Sequence, residues 1–449
     1  MNSLVQFIRE INSRLGVVLP EQWQTLSDTE IAQHFLQGVN RYFFQTYRGL
    51  GTTDFQGEEL QYFSEFHKYW EANHQAILNA QINRPQAQLA AQALSDAVKK
   101  YGNAILNVTH EARGLSPQAI AQVRFFTANQ DFREPPENQF DKYLDDPTRF
   151  DAHEIAESPA DYLEFLGMTK LSQTDKRLDF ARNAARFLLD NNITAVEIAQ
   201  CFGNNAIQIR DALVNASNIG YGLKKANMFI RDMVELGVWP DLEHFDRIDV
   251  ASDINTMKLA LRARILRTDI PLLSSFLDIF CYQYGYIDEM SAKAWRTVWQ
   301  EWQTLDAGTA PRSPCLMDFL LYRIGREYCK DNLVEYQCEA GHIFYHFGAR
   351  LRKCRVCNRR QRSVAFPIAR QLPCQVDAES LPRENGELLL PASNLLRTFD
   401  GVCIFEDVCQ PKTETFRQLD PPKSISIKGR TSWTSAYSDR ERGGGGMMG

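Results

Sequence analysis

Two adjacent lysines that closely follow a pair of glycines are the residues of this chain whose types and spacing first suggest chemistry. Gly220 and Gly222 lie one residue apart, and Lys224 and Lys225 follow them. Glycine permits a tight turn in backbone conformations that a Cβ would resist. A helix that begins behind such a turn presents unpaired amides that can bind a phosphate oxygen. We therefore predict a phosphate-binding turn at the start of the helix that carries the two lysines.

Two packed helices must position this turn. The sequence predicts a first helix over residues 206–216 and a second over 223–236. The second helix carries one apolar stripe at helical spacing, formed by Leu223, Ala226, Ile230, Met233 and Val234. Two helices joined by a glycine turn make a helix-hairpin-helix.

Residues 220–227, which read Gly-Tyr-Gly-Leu-Lys-Lys-Ala-Asn, resemble the hairpin of the endonuclease III and 8-oxoguanine glycosylase superfamily. In that family the lysine two residues past the second glycine is the catalytic amine, and Lys224 occupies this position. The family also has an aspartate after the second hairpin helix, which Ile248-Asp249-Val250 matches. Asp246 and Asp253 are the neighbouring alternatives. The resemblance covers residues 150–335.

The resemblance implies a DNA glycosylase with AP-lyase activity that acts on double-stranded DNA. Such an enzyme must first flip the target nucleotide out of the duplex. Lys224 would then attack the sugar, and Asp249 would stabilise the cationic sugar and assist proton transfers. An oxidised purine, a damaged pyrimidine and a hypermodified viral base all remain open as substrates. Ordinary repair glycosylases of this type lack a large N-terminal helical region and a β appendage. The presence of both in this chain favours an unusual base as the substrate, in repair or in defence against modified viral DNA.

Four metal-ligand residues fall in two close pairs near the end of the helical region. They are Cys338, His342, Cys354 and Cys357, and the last two form a Cys-x-x-Cys. Zinc prefers four such ligands in a tetrahedron, so the spacing predicts a zinc site, with His346 as an alternative to His342. An iron-sulfur cluster is the second possibility, with ligands drawn from Cys315, Cys329, Cys338, Cys354 and Cys357.

A run of cations without acidic residues overlaps this predicted zinc site. Its members are Arg352, Lys353, Arg355, Arg359, Arg360 and Arg362. The whole chain carries a formal net charge of -6, so any nucleic-acid surface must be local. We predict that the run contacts DNA phosphates together with Gly220, Gly222 and Lys225.

The segment before the resemblance is polar and rich in proline, which suggests a junction between domains. One helix is predicted inside it, over residues 117–127, with Ser116 as its cap and Pro117 at its first position. Arg124 of this helix could approach DNA, although a solvated arginine is the commoner case. Further along the chain, Thr194 and Glu197 have the spacing of a capping box.

The predicted fold is mainly α, with a helix-hairpin-helix glycosylase domain, an N-terminal helical region and a C-terminal zinc-knuckle and β appendage. The predicted boundaries are an N-terminal helical region 1–110, a linker 111–150, the glycosylase-like domain 151–332, a zinc-binding basic segment 333–365, a β-rich appendage 366–420 and a disordered tail 421–449. Strands are predicted at 334–338, 343–347, 387–390 and 401–405.

Two other classes of function remain open from the sequence. One is a non-catalytic DNA-binding module in a larger complex, and the other is a nucleosidase for a modified nucleoside. Ten cysteines, with none before Cys201, are distributed unlike those of a disulfide-bonded secreted protein. The sequence also lacks an apolar run of membrane-spanning length. We therefore expect no membrane association and a location in the cytoplasm or nucleoid.

Overall fold

The computed structural model of this chain is mainly helical, as the sequence predicts. It describes residues 2–14, 25–28, 30–32, 34–35, 51–55, 58–62, 73–107, 112–130, 136–168, 174–275, 277, 285–329, 333–338, 340–347, 357, 368–371 and 403–409. Within these ranges, no helix combines the length and the hydropathy that a membrane crossing requires.

The helices and strands are numbered in chain order. The helices are α1 Asn2–Arg14, α2 Arg84–Tyr101, α3 Pro117–Ala128, α4 Pro136–Asp145, α5 Ala152–Glu157, α6 Pro159–Phe165, α7 Thr174–Asp190, α8 Ile198–Cys201, α9 Ala206–Asn215, α10 Leu223–Glu235, α11 Ile254–Arg262, α12 Tyr286–Leu305 and α13 Asp318–Glu327. The strands are β1 Gly51–Phe55, β2 Glu58–Tyr62, β3 Gln81–Ile82, β4 Leu266–Arg267, β5 Leu333–Gln337, β6 Ile343–Phe347 and β7 Ile368–Gln371.

The chain divides into two compact units. The hairpin unit comprises Tyr101–Ser252 and Asp306–Leu320. The knuckle unit comprises Met1–Lys100, Asp253–Leu305 and Leu321–Gly449. Each unit therefore contains segments that are distant in sequence, so neither corresponds to one uninterrupted stretch of the chain.

The hairpin unit has one contiguous apolar core, and α3 lies within it. Ser116 caps α3 by accepting a hydrogen bond from the amide of Ala119, and Pro117 is at its first position, as predicted. Ile120, Val123, Phe125 and Phe126 are fully or almost fully buried in the core. The helix predicted inside a domain junction is thus a central element of this unit, because apolar residues occupy most of its circumference.

Charged side chains are also buried in the hairpin unit, as a network of two arginines and two aspartates. Arg124 donates to Asp232 at 2.5 Å, and Arg231 donates to both Asp232 and Asp318. The four side chains are at most 8% exposed. Arg124 is therefore an interior ion-pair partner, and the expectation that it is solvated or approaches DNA is wrong.

In the knuckle unit, α11 packs against α12, which carries two buried tryptophans. Trp295 and Trp302 of α12 are fully buried and belong to the core of this unit. The Trp295 indole nitrogen donates to the carbonyl of Thr256, and its ring contacts the edge of Phe405. Phe405 lies in a turn over residues 403–409, so the strand predicted at 401–405 is wrong for its described part.

Two small sheets complete the knuckle unit, besides the two-residue pairing of β3 with β4. An antiparallel hairpin, β1–β2, lies in the region predicted to be helical, and this prediction is corrected for residues 51–55 and 58–62. The β-branched residues Thr52 and Thr53 favour the strand there. The strands predicted at 334–338 and 343–347 are observed as β5 and β6, and β7 pairs with the other edge of β5.

Candidate active site at the helix hairpin

The helix bounds at the hairpin agree with the sequence prediction to within one residue. Helix α9 ends at Asn215 and α10 begins at Leu223. Asn205 caps α9 by accepting hydrogen bonds from the amides of Ile207 and Gln208. The glycine turn therefore lies between two well-defined helices of the hairpin unit.

The two glycines of the turn are required for different reasons. Gly220 has φ +81°, and a Cβ at this residue would lie 2.8 Å from the ring of Phe180 and 3.1 Å from the carbonyl oxygen of Asn129. Gly222 has an ordinary φ of -98°, and a Cβ there would meet nothing within 4 Å. Internal packing thus explains Gly220, whereas the fold gives no steric reason for a glycine at position 222.

Helix α10 begins without a side-chain cap. Gly222 is its N-cap residue and can supply no hydroxyl or carboxylate to the first amides of the helix. Leu223 follows it and is 58% exposed. The start of α10 therefore presents backbone amides on an accessible side of the hairpin unit.

The hairpin is fixed to the C-terminal end of α3 by hydrogen bonds to main-chain carbonyls. The Tyr221 hydroxyl donates to Phe125 at 2.7 Å, and the Lys225 ammonium donates to Asn129 at 2.5 Å. Burial raises the pKa of the Tyr221 hydroxyl well above its usual value, so the hydroxyl keeps its proton and remains a donor. In the reverse direction, the Asn129 amide donates to the carbonyl of Ile219.

Lys225 is thus engaged inside the hairpin unit. Besides its bond to Asn129, its ammonium lies 5.7 Å from the centre of the Phe180 ring. A cation at this place also complements the negative end of the α3 dipole. The phosphate contact that the sequence suggested for Lys225 stays a prediction, and the observed contacts give this residue a role in fixing the hairpin.

Lys224 has a different environment from its neighbour. Its side chain is partly exposed and has no hydrogen-bond or ion-pair partner among the residues that the structure describes. Because Tyr221 and Lys225 fix the backbone on either side of it, the position of Lys224 at the start of α10 is well defined. Its amine is therefore presented on a rigid element and is available to a ligand.

Asp249 is connected to the same helix through Asn227. The Asn227 amide nitrogen donates to the main-chain carbonyl of Asp249 at 3.3 Å. Asn227 lies three residues after Lys224 on α10, so the two side chains project from one face of the helix. The hydrogen bond places the Asp249 backbone beside the helix that carries the candidate amine.

The segment around Asp249 is also anchored on its other side. Ile248 and Val250 are buried, while Asp249 between them is partly exposed. The hydroxyl of Ser313 donates to the carbonyl of Phe245 at 2.6 Å and to that of Ile248 at 3.2 Å. Asp249 is therefore held in an extended segment with buried residues on both sides.

The neighbouring aspartates have other environments. The Asp253 carboxylate accepts hydrogen bonds from the amides of Asn255 and Thr256 and forms a capping box at the start of α11. Asp246 is exposed in a short 3-10 helix, Phe245–Arg247. Since Asp253 is occupied as a helix cap, Asp249 is the better candidate for chemistry beside α10.

In the knuckle unit, three of the four predicted metal ligands come together. The side-chain ligand atoms of Cys338, His342 and Cys357 all lie within 4.8 Å of one another and could hold a metal ion. The Cys338 sulfur lies 3.3 Å from Nδ1 of His342. The tight turn between β5 and β6 explains this proximity, because the Cys338 amide donates to the carbonyl of His342 and the Gly341 amide to that of Cys338.

The donor set of this group fits a metal with tetrahedral coordination by soft and borderline ligands. Two thiols and one imidazole supply three of the four positions that zinc requires. The fourth predicted ligand, Cys354, lies outside the described residues. So do the predicted DNA contacts Arg352, Lys353, Arg355, Arg359, Arg360 and Arg362, the predicted strand at 387–390 and the predicted disordered tail from 421.

Cys315, one of the possible iron-sulfur ligands, is buried within the hairpin unit. Its sulfur lies 3.2 Å from the hydroxyl of Ser313. Burial raises the pKa of the Cys315 thiol to about 12, so it keeps its proton near neutral pH. An iron-sulfur ligand must be a thiolate, so the environment of Cys315 does not favour that use.

Two residues of the site were not identified from the sequence. Asn227 is a polar residue within the apolar stripe of α10, and a buried amide on such a stripe requires hydrogen-bond partners. Tyr221 lies between the two glycines, where the sequence indicated only a turn. The polar interruption of the stripe was the available signal for Asn227, whereas the bond of Tyr221 to α3 depends on tertiary structure.

Comparison with known proteins yields no match to any family model or to any curated protein. The interpretation of the hairpin therefore depends on its residues and geometry.

Proposed function

We propose that this chain is a DNA glycosylase with AP-lyase activity, in which Lys224 is the nucleophile and Asp249 the catalytic acid-base residue. The observation that carries the proposal is the hydrogen bond from Asn227 to the main chain of Asp249. It connects the segment of the candidate carboxylate to the helix of the candidate amine, as an enzyme with a paired amine and carboxylate requires.

The start of α10 supports a contact with the DNA backbone. Gly222 leaves the first amides of the helix uncapped, and the absence of a Cβ there keeps the approach to them open. A phosphate oxygen is a suitable acceptor for such amides and is favoured by the helix dipole. A contact of this kind grips the backbone beside a flipped nucleotide and carries no sequence information.

In the proposed reaction, the neutral amine of Lys224 attacks C1′ of the flipped nucleotide. The bond from C1′ to the base breaks, and the base leaves with the electron pair and takes a proton from water. Asp249 accepts one proton from the newly bonded amine. The C1′–O4′ bond then opens, O4′ takes that proton from Asp249, and a protonated Schiff base remains. Loss of a 2′ proton from this intermediate permits β-elimination and strand cleavage.

The group of Cys338, His342 and Cys357 supports a zinc site in the knuckle unit. We propose that Cys354 completes a tetrahedron and that the metal orders the basic residues of the same segment. Arg352, Lys353, Arg355, Arg359, Arg360 and Arg362 would then contact phosphates, and the affinity for DNA would fall steeply with salt.

The activity can be tested with duplexes that contain single oxidised, alkylated or hypermodified bases. Release of free base and strand cleavage are measured for the wild-type chain, for Lys224→Gln and for Asp249→Asn. We expect Lys224→Gln to bind the duplex and form no product, and Asp249→Asn to react about 10²–10⁴-fold more slowly. The matched control is Asp246→Asn, an exposed aspartate of the same loop, which should keep wild-type rates.

The outcomes separate the proposed enzyme from the alternatives. Base release without strand cleavage in Lys224→Gln would assign the attack to water directed by Asp249. DNA binding with neither product on any duplex would contradict the proposal and favour a non-catalytic DNA-binding module. Activity on free nucleosides that does not respond to salt would instead indicate a nucleosidase.

A further inference from the structure

Two buried polar atoms beside Asp249 have no hydrogen-bond partner among the described residues. They are Oδ1 of Asn227 and the hydroxyl oxygen of Ser252, and both side chains are 6% exposed. Buried polar groups in proteins are nearly always hydrogen-bonded, because an unpaired one costs about 1–3 kcal/mol. Of the two atoms, Oδ1 of Asn227 belongs to the side chain that contacts Asp249, so an acceptor beside the candidate carboxylate remains available for a further hydrogen bond.

Asn227 occupies a position from which it can act on both members of the proposed catalytic pair. Its Nδ2 already donates to the Asp249 carbonyl, so its orientation is fixed and Oδ1 is left as an acceptor. Lys224 lies on the same face of α10, one turn earlier, and its amine can donate hydrogen bonds and has no partner among the described residues.

We propose that Asn227 is a positioning residue for the reaction. Nδ2 holds the Asp249 segment against α10, and Oδ1 accepts a hydrogen bond from the Lys224 amine when substrate DNA is bound. This bond directs the lone pair of the amine towards C1′ of the flipped sugar. The inference depends on the proposed function of Lys224 and Asp249, and it adds a residue whose effect is on the rate of attack, with no contact to the DNA backbone.

Two substitutions separate positioning from folding. Asn227→Leu keeps the number and branching of the side-chain heavy atoms and removes both hydrogen bonds, so we expect the attack of the amine to slow by about 10²-fold. Asn227→Asp keeps the shape and puts a carboxylate beside the amine. Because this carboxylate stabilises the ammonium form, the pH at which the attack is half-maximal should rise by about one unit.

The matched control is Asn218→Asp. Asn218 is an exposed residue of the hairpin turn with φ 52°, a conformation that aspartate also tolerates. The Asn218→Asp substitution introduces the same negative charge in the same unit, close to the start of α10 along the chain. We expect this variant to leave the pH of half-maximal attack unchanged.

The experiment uses a duplex with one abasic site, because its aldehyde reacts with a correctly placed amine whichever base the enzyme removes. The rate of borohydride trapping is measured from pH 5 to pH 9 with the full-length variants. Affinity for the same duplex and the thermal unfolding midpoint are measured in parallel. We expect Asn227→Leu to lose trapping rate while its affinity changes by less than about threefold.

The results distinguish failure of the inference from failure of the proposed function. Trapping by the wild type that is lost in Lys224→Gln, together with wild-type rates and an unshifted pH profile in both Asn227 variants, would overturn the role of Asn227 alone. No trapping by the wild type would overturn the proposed function itself. If Asn227→Leu does not fold, the pH profile of the isosteric Asn227→Asp decides the question.

Discussion

The helix hairpin and the cysteine-histidine group, which consists of Cys338, His342 and Cys357, are positioned by different forces. The hairpin is fixed by an apolar core, by a buried network of arginines and aspartates and by side chains that donate to the carbonyls at the end of α3. Two members of the cysteine-histidine group, Cys338 and His342, lie at the turn between two short antiparallel strands, and Cys357 approaches them from a later segment. The position of Lys224 is therefore determined by packing, whereas the position of the metal-ligand residues depends on a tight turn and on the metal they would bind.

Removal of the metal should therefore destabilise the strands β5 and β6 and leave the helix hairpin unchanged. We expect about one zinc ion per chain, and chelation should abolish the hydrogen-exchange protection of β5 and β6 while α10 keeps its own. Cys338→Ser should lose the metal, and Cys201→Ser, which changes an exposed cysteine of the hairpin unit, should retain it. Full protection of β5 and β6 in the metal-free chain would contradict this division.

A substitution in the buried ion-pair network tests what stabilises the hairpin unit. Asp232→Asn removes the charge that both Arg124 and Arg231 contact, so we expect a loss of about 3–5 kcal/mol in the free energy of unfolding. Urea denaturation measures this loss. Asp179→Asn removes one partner of an exposed pair with Arg182 and should cost about 0.5 kcal/mol. Equal losses in the two variants would show that the buried network is not what stabilises this unit.

The two glycines of the turn should respond in opposite ways. Gly220→Ala places a methyl group against Phe180 and Asn129 at a positive φ, so we expect a loss of about 2–3 kcal/mol in unfolding free energy. Gly222→Ser supplies the missing cap and should raise stability by a few tenths of a kcal/mol. The new hydroxyl would also accept a hydrogen bond from the amides that are proposed to bind phosphate, so the affinity of the Gly222→Ser variant for DNA should fall. Unchanged affinity would argue against a phosphate at the start of α10.

Lys225→Met tests whether this lysine stabilises the folded hairpin unit or contacts a DNA phosphate. The variant keeps the stem over Phe180 and removes the donor to Asn129, so we expect a loss of about 1.5 kcal/mol in unfolding free energy. The slope of log affinity for DNA against log salt should stay unchanged. A phosphate contact would instead reduce the slope by about one. Lys176→Met, at an exposed position in α7, should leave stability unchanged.

Local rules predicted the elements of the hairpin well. The bounds of α9 and α10 and the cap of α3 at Ser116 follow from periodicity and capping, which act within a few residues. The capping box of Thr194 and Glu197 is observed for the same reason. Close pairs of metal ligands were also recognisable, because Cys338 and His342 are joined by a single turn.

Features that depend on distant contacts were not predictable from the sequence. Proline and polar residues around α3 suggested a junction, yet the helix is a central element of the core, and Arg124 is paired with a residue 108 positions away. The hydrogen bond of Lys225 to Asn129 spans 96 positions. Adjacent lysines look equivalent in a sequence, and only the tertiary contacts show that Lys225 is bonded to Asn129 while Lys224 has no partner among the described residues.

Identification of the residue that bonds covalently to DNA determines whether Lys224 is the nucleophile. The wild-type chain is trapped with borohydride on a duplex that contains one abasic site, digested, and analysed by mass spectrometry for the peptide that carries the sugar remnant. The proposed function predicts the modification on Lys224, with Lys225 of the same peptide unmodified. Modification of Lys225 or of another amine, or the absence of any adduct, would contradict it.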